Sequence, residues 1–435
     1  MKKTKLIIPL LLFITAGVSI YGDDIASSPR AGGSLSGEIT LEDALQAAYE
    51  SEPELAAFVF EVERNRALED QAGKLPNPRL SLESEEFAGS GFFEGTAAMK
   101  SRYGISQEIE LGGKRKKRIK AARQRTAISQ AQMEGKRREV AILVKSRFAA
   151  VYASQQSLLI QRENLDLVRD SFSVISELVR AGEVSPLLAD RAAVELATAE
   201  TLYLRSEQQL ETTRLELAAT WNSFHPEFTS VRGDFNEISK VPTLENLLER
   251  LEDHPLAKRW AAEQLHSQAE LDLAQSHIWP DLEVGGGYQK FQENRQHAYY
   301  VEMSIPLPLF ERNQGNIRAA RAAVGIAEKR RQSSLLQLKT RAAKVYRDLT
   351  AIRAELESHN VTLVPAAKRA YEAVSEAFRL GEEEYISVID SQRMLLEATR
   401  RQAELGADFF KLKAELEGLV GIPLENFLPP ERTNQ

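Results

Sequence analysis

The sequence predicts a mainly α-helical chain that also carries the strands of a transmembrane β-barrel. Three observations predict it. Apolar residues recur every seven positions along two long stretches. Four segments of about ten residues alternate apolar with polar side chains, the length and pattern of a barrel strand. The same order of motifs returns in the second half at an offset of 198 or 199.

Composition narrows the classes first. Of 435 residues, 43% are hydrophobic and 27% charged, which excludes a disordered or collagen-like chain. No cysteine is present, so a disulfide framework, a Cys-based zinc site and a thiol nucleophile are excluded. The six histidines (His225, His254, His266, His277, His297 and His359) stand scattered, with no two at metal-ligand spacing. A formal charge of −7 gives no basic footprint for nucleic acid.

At the N-terminus, Lys2, Lys3 and Lys5 precede an apolar run from Leu6 to Ile20, followed by Gly22 and Asp23-Asp24. This reads as a secretory signal peptide over residues 1–22. The alternative is a membrane anchor, but the run is shorter than the roughly 20 residues a span needs. No later stretch is apolar enough for a transmembrane helix. If the mature chain crosses a membrane, it does so as β-structure.

The repeat is read from several short matches. Ile119-Lys-Ala-Ala122 returns as Ile317-Arg-Ala-Ala320, at 198. Val179-Arg-Ala-Gly-Glu183 returns as Phe378-Arg-Leu-Gly-Glu382, at 199. Each copy starts with a short helix and a longer one, Glu54–Lys74 or Pro255–Ile278. Two strand segments follow around a polar loop, then a long helical stretch, Lys114–Arg180 or Arg312–Leu380. A Gly-containing tip leads into a return helix, Pro186–Asn222 or Tyr385–Val420.

In the first long stretch, Val144, Val151, Leu158, Leu165, Phe172 and Val179 are spaced by seven. In the second, Leu335, Ala342, Leu349, Leu356, Leu363 and Ala370 are. A heptad held this long indicates supercoiled helix pairs. Pro365 interrupts the second stretch and predicts a kink there.

The strand segments are Arg79–Phe87, Met99–Ile109, Asp281–Phe291 and Ala298–Leu307. Taken alone, they also fit two soluble hairpins with one buried face. Four strands cannot close a barrel, and lipid does not tolerate open edges, so closure demands oligomerisation. Two chains give eight strands and three give twelve.

Ile39-Thr-Leu-Glu-Asp-Ala44, Leu75-Pro-Asn-Pro78 and Ile105-Ser-Gln-Glu-Ile-Glu-Leu-Gly-Gly-Lys-Arg115 resemble motifs of the TolC family of outer-membrane efflux proteins. So do Ile305-Pro-Leu-Pro-Leu-Phe310 and Gly315-Asn-Ile-Arg318, and the tips Ala181-Gly-Glu-Val-Ser-Pro186 and Gly381-Glu-Glu-Glu-Tyr385. The resemblance runs from Ile39 to Pro423. The Glu-Leu-Gly-Gly-Lys-Arg string is similar to the CzcC-type branch, which serves heavy-metal efflux. The family implies a homotrimer with a twelve-stranded barrel in the outer membrane and an α-helical tube through the periplasm. It implies a passive exit duct for heavy-metal cations or small toxic compounds, docked on a periplasmic adaptor and energised by an inner-membrane pump, of the RND type for this branch. Outer-membrane lipid is then the remaining partner. On this reading residues 39–224 form the first structural repeat, 225–242 an equatorial linker, 243–423 the second repeat and 424–435 a tail.

No catalytic constellation, cofactor motif or metal cluster is found, and the chain is read as a non-enzyme. Gly285-Gly-Gly287 lies inside a strand pattern without the Lys-Ser/Thr of a phosphate loop, and suits bending or close packing. The run Lys114-Arg-Lys-Lys-Arg118 is read as facing lipid headgroups or simply as solvated. Glu382-Glu-Glu384 is read as a solvated tip. The resemblance places Asp390 at a periplasmic gate, where three copies would ring the axis. A second family Asp, three positions earlier, is Ser387 here, which halves the ring's charge. The other reading is an exposed Asp390 paired with Arg393 or Arg191. The resemblance also makes Gly182, Glu183, Gly381 and Glu382 the adaptor-docking tips. Family contacts that lock the gate change here: the aromatic at Phe378 lacks a hydroxyl, and Glu383 takes a basic position. The competing functions are a periplasmic adaptor, which would carry one hairpin rather than a duplicated unit, and a structural coiled-coil protein of a secretion system, which would need neither signal peptide nor barrel strands.

Overall fold

The computed structural model describes residues 35–233 and 241–424. The signal peptide, most of the C-terminal tail and residues 234–240 of the linker lie outside the described residues.

The first half runs β1 (Gly37–Ile39), α1 (Leu41–Ser51), α2 (Pro53–Ala72), β2 (Arg79–Glu85), β3 (Lys100–Ile109), α3 (Lys114–Ala181), α4 (Pro186–Ala218) and β4 (Phe228–Val231). The second half runs α5 (Leu244–Arg250), α6 (Pro255–Ser276), β5 (Leu282–Phe291), β6 (Gln296–Ser304), α7 (Gln314–Ser358), a π turn (His359–Leu363), α8 (Val364–Arg379) and α9 (Tyr385–Val420). α3 has 68 residues without a break, which at 1.5 Å per residue is about 100 Å. Among the described residues, no helix is long and apolar enough to cross a membrane.

The long helices pack side by side. Near the strands, α3 lies between α2 and α6, and α6 reaches α7. Toward the tips, α3 lies between α4 and α9, and α9 meets α7 and α8. Thus α3 and the α7–α8 run extend through the whole layer, while α6 and α9 share one lane end to end. Midway along, β1 pairs in parallel with β4. Ile39, Phe228 and Val231 there bury against Val144, Phe148 and Val151 of α3. On the other copy, Leu247 and Leu251 cover Leu349, Leu356, Leu405 and Leu416. Strand β1 carried no sequence signal beyond Ile39, because three residues are too few to show alternation.

The four long strands form one antiparallel sheet in the order β2-β3-β5-β6, with β2 and β6 at its edges. Cross-strand register puts Leu82, Tyr103, Tyr288 and Tyr299 in one row and Ser81, Gly104, Gly287 and Tyr300 in the next. One face is therefore apolar: Leu80, Leu82, Tyr103, Ile105, Tyr299, Val301 and Met303 are all exposed. The other is polar, with Arg79 3.2 Å from Glu283 and Arg102 3.1 Å from Glu83. Strand β6 differs from the sequence expectation. It starts at Gln296, because the loop needs only residues 292–295, with Arg295 at φ 58. It stops at Ser304, since Pro306 has no N–H for a ladder and restricts Ile305.

The second heptad also needs correction. Ala342, Leu349 and Leu356 are fully buried, but Leu363 and Ala370 are exposed. The seam continues instead through Val364, Ala367, Tyr371, Val374 and Phe378. The π turn accounts for the change. There the Val364 N–H donates to the His359 carbonyl, five residues back, so one extra residue is absorbed and the seam advances by one position. Pro365 supplies the cause: it has no N–H for the Val361 carbonyl, and its ring would crowd it. The predicted disruption is a local π turn just before the proline. It also explains the two repeat offsets. Leu338, Ala342, Leu349 and Leu356 stand 198 after Val140, Val144, Val151 and Leu158. Beyond the turn, Ala367, Tyr371, Val374 and Phe378 stand 199 after Val168, Phe172, Ile175 and Val179.

This phase shift is testable. Ala367→Glu buries an unpaired carboxylate and should lower stability by at least ~2 kcal/mol, whereas Ala370→Glu should stay within about 0.5 kcal/mol. Thermal unfolding of the purified protein in detergent reads both. The reverse order would mean an unbroken heptad.

Candidate functional site

Both tips are built by the same local chemistry. At the end of α3, the Gly182 N–H donates to the Val179 carbonyl and the Glu183 N–H to that of Leu178, each at 3.0 Å. At the end of α8, the Gly381 N–H donates to the Phe378 carbonyl at 3.0 Å and that of Glu382 to Ala377 at 2.9 Å. This is the Schellman arrangement, which needs a left-handed residue at its pivot. Gly182 and Gly381 supply it, at φ +77 and +78. A Cβ at either would meet nothing within 4 Å, so the space around both pivots is open.

The two tips lie together. Ile175 of α3 and Ala192 of α4 bury against Tyr385, Val388 and Ile389 of α9, with Phe172, Tyr371 and Phe378 packed around them. The Phe378 and Tyr385 rings are 5.7 Å apart. Burial raises the Tyr385 phenol above its ordinary value, partly offset by a hydrogen bond with Ser171. The face of α9 toward α3 is thus filled by Tyr385, Val388, Ile389 and Gln392, whose amide donates to Asn164 at 2.9 Å.

Asp390 lies off that face. It is exposed, in line with exposed Ile386 and Met394. Arg393 is engaged by Glu195 of α4. Asp390 pairs with neither Arg393 nor Arg191 among the described residues, so the salt-bridge reading has no contact behind it. Ser387 is half-buried, and its N–H donates to the Glu384 carbonyl at 3.0 Å. Glu183, Glu382, Glu383 and Glu384 are exposed at the turns, with Glu384 preceding α9.

The basic run at the foot of α3 does something other than face solvent or lipid. Lys114 is buried, with its Nζ 2.6 Å from Asp281, which also accepts the Leu111 N–H at 2.9 Å. Arg115 donates to the Gly73 carbonyl at 2.7 Å, and Arg118 to the Ala72 carbonyl at 2.8 Å and to Glu110. These cations cap the carbonyl end of α2, where positive charge is favoured. Together they clamp α2 and the start of β5 to the foot of α3. Lys116, by contrast, is exposed.

Sequence reasoning missed the polar row on the sheet. A Cβ on Gly287 would collide with the Tyr103 carbonyl oxygen, and one on Gly104 with the Tyr300 hydroxyl. Tyr300 therefore reaches across two glycines toward Ser81, with Arg102 over its ring at 5.1 Å. The glycines serve close packing, and only the cross-strand register reveals their tenant. Among the described residues no group of three or more His, Asp or Glu is placed to hold a metal.

The same geometry recurs in known proteins. The family model for outer membrane efflux proteins matches residues 44–223 and 248–421. The chain belongs to the outer membrane efflux protein family. It is 28% identical over 422 residues to the cobalt-zinc-cadmium resistance protein CzcC of Cupriavidus metallidurans, covering 96% of this chain and 99% of that one. It is 24% identical over 297 residues to the nickel and cobalt resistance protein CnrC of the same organism, covering 67% and 69%. The fold matches a solved structure of CusC with a TM-score of 0.75 at 14% identity, covering 89% of this chain and 94% of that one. It matches the Campylobacter jejuni CmeC outer membrane channel at 0.73 and 14%, covering 91% of each. The family's channel architecture thus stands on this chain's own fold: a sheet with one apolar face, and a long helical layer ending in two adjacent tips.

A pH dependence follows from the middle of the layer. His254 caps α6, its Nδ1 accepting the Leu256 N–H at 3.1 Å. Burial first, then Arg138 and Arg341, lower its pKa from 6.5 to about 4. The unfolded chain takes up this proton below about pH 6.5, and the folded chain only near pH 4. Stability from this group is complete above about pH 6.5 and is lost progressively as pH falls toward 4. His254→Asn, which keeps a capping side chain, should show a shallower loss across that window in thermal unfolding. An unchanged pH profile would assign the acid lability elsewhere.

Proposed function

We propose that this efflux-family channel works as a homotrimer that passively conducts divalent transition-metal cations from an inner-membrane pump and periplasmic adaptor to the exterior. The observation that carries the trimer is the incompleteness of the chain. A four-stranded sheet with an exposed apolar face has two open edges, and lipid leaves no water to satisfy them. Three such sheets make a twelve-stranded barrel wide enough for a channel. The helical layer has apolar edges at both heights. In the strand half, Val59, Phe60 and Leu68 on α2 and Ile326 and Leu336 on α7 are exposed. In the tip half, Leu187, Val194 and Leu204 on α4 and Val361, Leu363 and Leu380 on the opposite side are exposed. Closure would cover these apolar edges.

Metal cations are favoured by the relatives, which are named for cobalt, zinc, cadmium and nickel resistance. The pump is then of the RND type. The polar sheet face would line the pore, and Asp390 would ring its periplasmic end with three carboxylates that attract cations. Gly182, Glu183, Gly381 and Glu382 would meet the adaptor. A recess of about 250 Å³ near the tips is lined by Asn164, Glu195, Tyr385 and Gln392. Outer-membrane lipid would contact Leu80, Ile105, Val301 and Met303.

Complementation of a strain lacking the channel tests this reading. Wild type should restore cobalt, zinc or cadmium tolerance and migrate as a detergent-stable trimer of the outer membrane. Gly381→Trp strains the left-handed pivot, but at an exposed turn remote from the sheet, so it should still insert and trimerise yet fail to restore tolerance. Full tolerance with Gly381→Trp would remove the tip from adaptor docking, and a soluble monomer would overturn the duct.

The gate has its own measurement. In planar bilayers, multivalent cations added on the periplasmic side should block wild type at lower concentration than Asp390→Ala, by a factor of about three or more, since three like charges are lost together. Equal block would place Asp390 away from the pore.

A further inference from the structure

α9 ends at Val420 and α6 begins at Pro255, in the same lane between α3 and α7. The two helices abut without being joined, and a cavity of about 390 Å³ remains at the junction. Its wall carries Lys136 and Arg138 from α3, His254 and Arg259 at the start of α6, and Arg341 from α7, with Glu54 and Glu139 as its acids.

Most of these charges are already matched. Lys136 pairs with Glu54, and Arg341 with Glu415 at 2.8 Å. Arg138 lies 3.5 Å from Glu134 and is packed against the carbonyl end of α9, where a Cβ on Gly421 would sit 2.6 Å from its Nη1. Glu139 is exposed.

Arg259 is the exception. It forms no ion pair and no hydrogen bond with any described residue, its Nε is sealed from solvent without an acceptor, and its guanidinium lies 5.3 Å from the Trp260 ring centroid. The Arg138 Nη1 is likewise buried without an acceptor. His254 uses Nδ1 to accept the Leu256 N–H, so the one N–H of its neutral ring is on Nε2, as a donor. The sealed groups of this wall without acceptors, the Arg259 Nε and the Arg138 Nη1, are both donors, and the half-buried His254 adds a third donor beside them. The first turn of a 22-residue helix adds its positive end. Ionised donors withdrawn from water without acceptors are costly, and the guanidinium fork matches the paired oxygens of a carboxylate or phosphate.

We propose that this junction is a binding site for a small oxyanion, a molecule bearing a carboxylate or phosphate group, held chiefly by Arg259 with Arg138 and His254 as further donors. A bound anion would tie the start of α6 to α3 across the break between the stacked helices. The junction lies away from the tips, and anion binding there does not rest on the transport reading.

The test is isothermal titration of the full-length protein in detergent at pH 7. Sodium citrate and sodium phosphate serve as separate probes, with ionic strength held constant by sodium chloride. Saturable binding of one molecule per chain is expected for at least one probe, and which one binds distinguishes a carboxylate from a phosphate ligand. Arg259→Gln should weaken that binding at least about tenfold. If that variant does not fold, Arg259→Lys, which keeps the charge and loses the fork, should weaken it at least about threefold. No saturable binding of either probe, or unchanged affinity in the folded Arg259 variant, overturns the proposal.

Discussion

The structure depends on one packing seam kept in phase from the sheet to the tips. Along α3 it runs through Val144, Val151, Leu165 and Phe172 without interruption. Its counterpart in the second copy cannot do the same, because Pro365 withholds a backbone donor in mid-helix. The π turn at His359–Leu363 resolves the conflict by taking in one residue. Gln402 of α9 then donates to Asn360 within the turn at 2.7 Å, and Arg401 reaches Glu355 at 2.8 Å. These polar bonds hold α9 to the widened turn where apolar packing is interrupted.

The seam and the sheet are coupled through the foot of α3. Lys114 on Asp281, and Arg115 and Arg118 on the end of α2, join α2, α3 and the start of β5 within a few residues. A buried lysine without its aspartate would be strongly destabilising, so these contacts fix the direction in which the helices leave the sheet. The sheet in turn keeps its polar face compact by pairing glycines with one large residue, Tyr300, rather than by filling every position.

Charge is distributed along the chain according to what each zone must do. The tips present glutamates on glycine pivots, α9 presents Asp390 on an exposed face, and the middle of the layer gathers arginines around a cavity. The last of these zones holds two buried arginine donors without acceptors, the Arg259 Nε and the Arg138 Nη1, an unmet chemical demand that a solvated surface does not have.

Much of this was legible in the sequence. The heptads gave the long helices, the alternation gave the four strands, and Gly182 and Gly381 gave the tips, because each rests on local periodicity or on a backbone conformation that one residue type favours. The offset change from 198 to 199 even carried the π turn, although its place and form were not readable from it. What the sequence could not decide depends on partners distant along the chain. The basic run at Lys114–Arg118 reads as surface until Asp281 and the end of α2 are brought to it. Gly287 suits either a bend or close packing until the register sets Tyr300 beside it and Gly104. Leu363 and Ala370 look like core until the inserted residue turns them outward. Periodicity fixes which face of a segment is apolar, but only the tertiary structure decides what meets that face, since register and helix phase are set by contacts between residues that lie far apart in sequence.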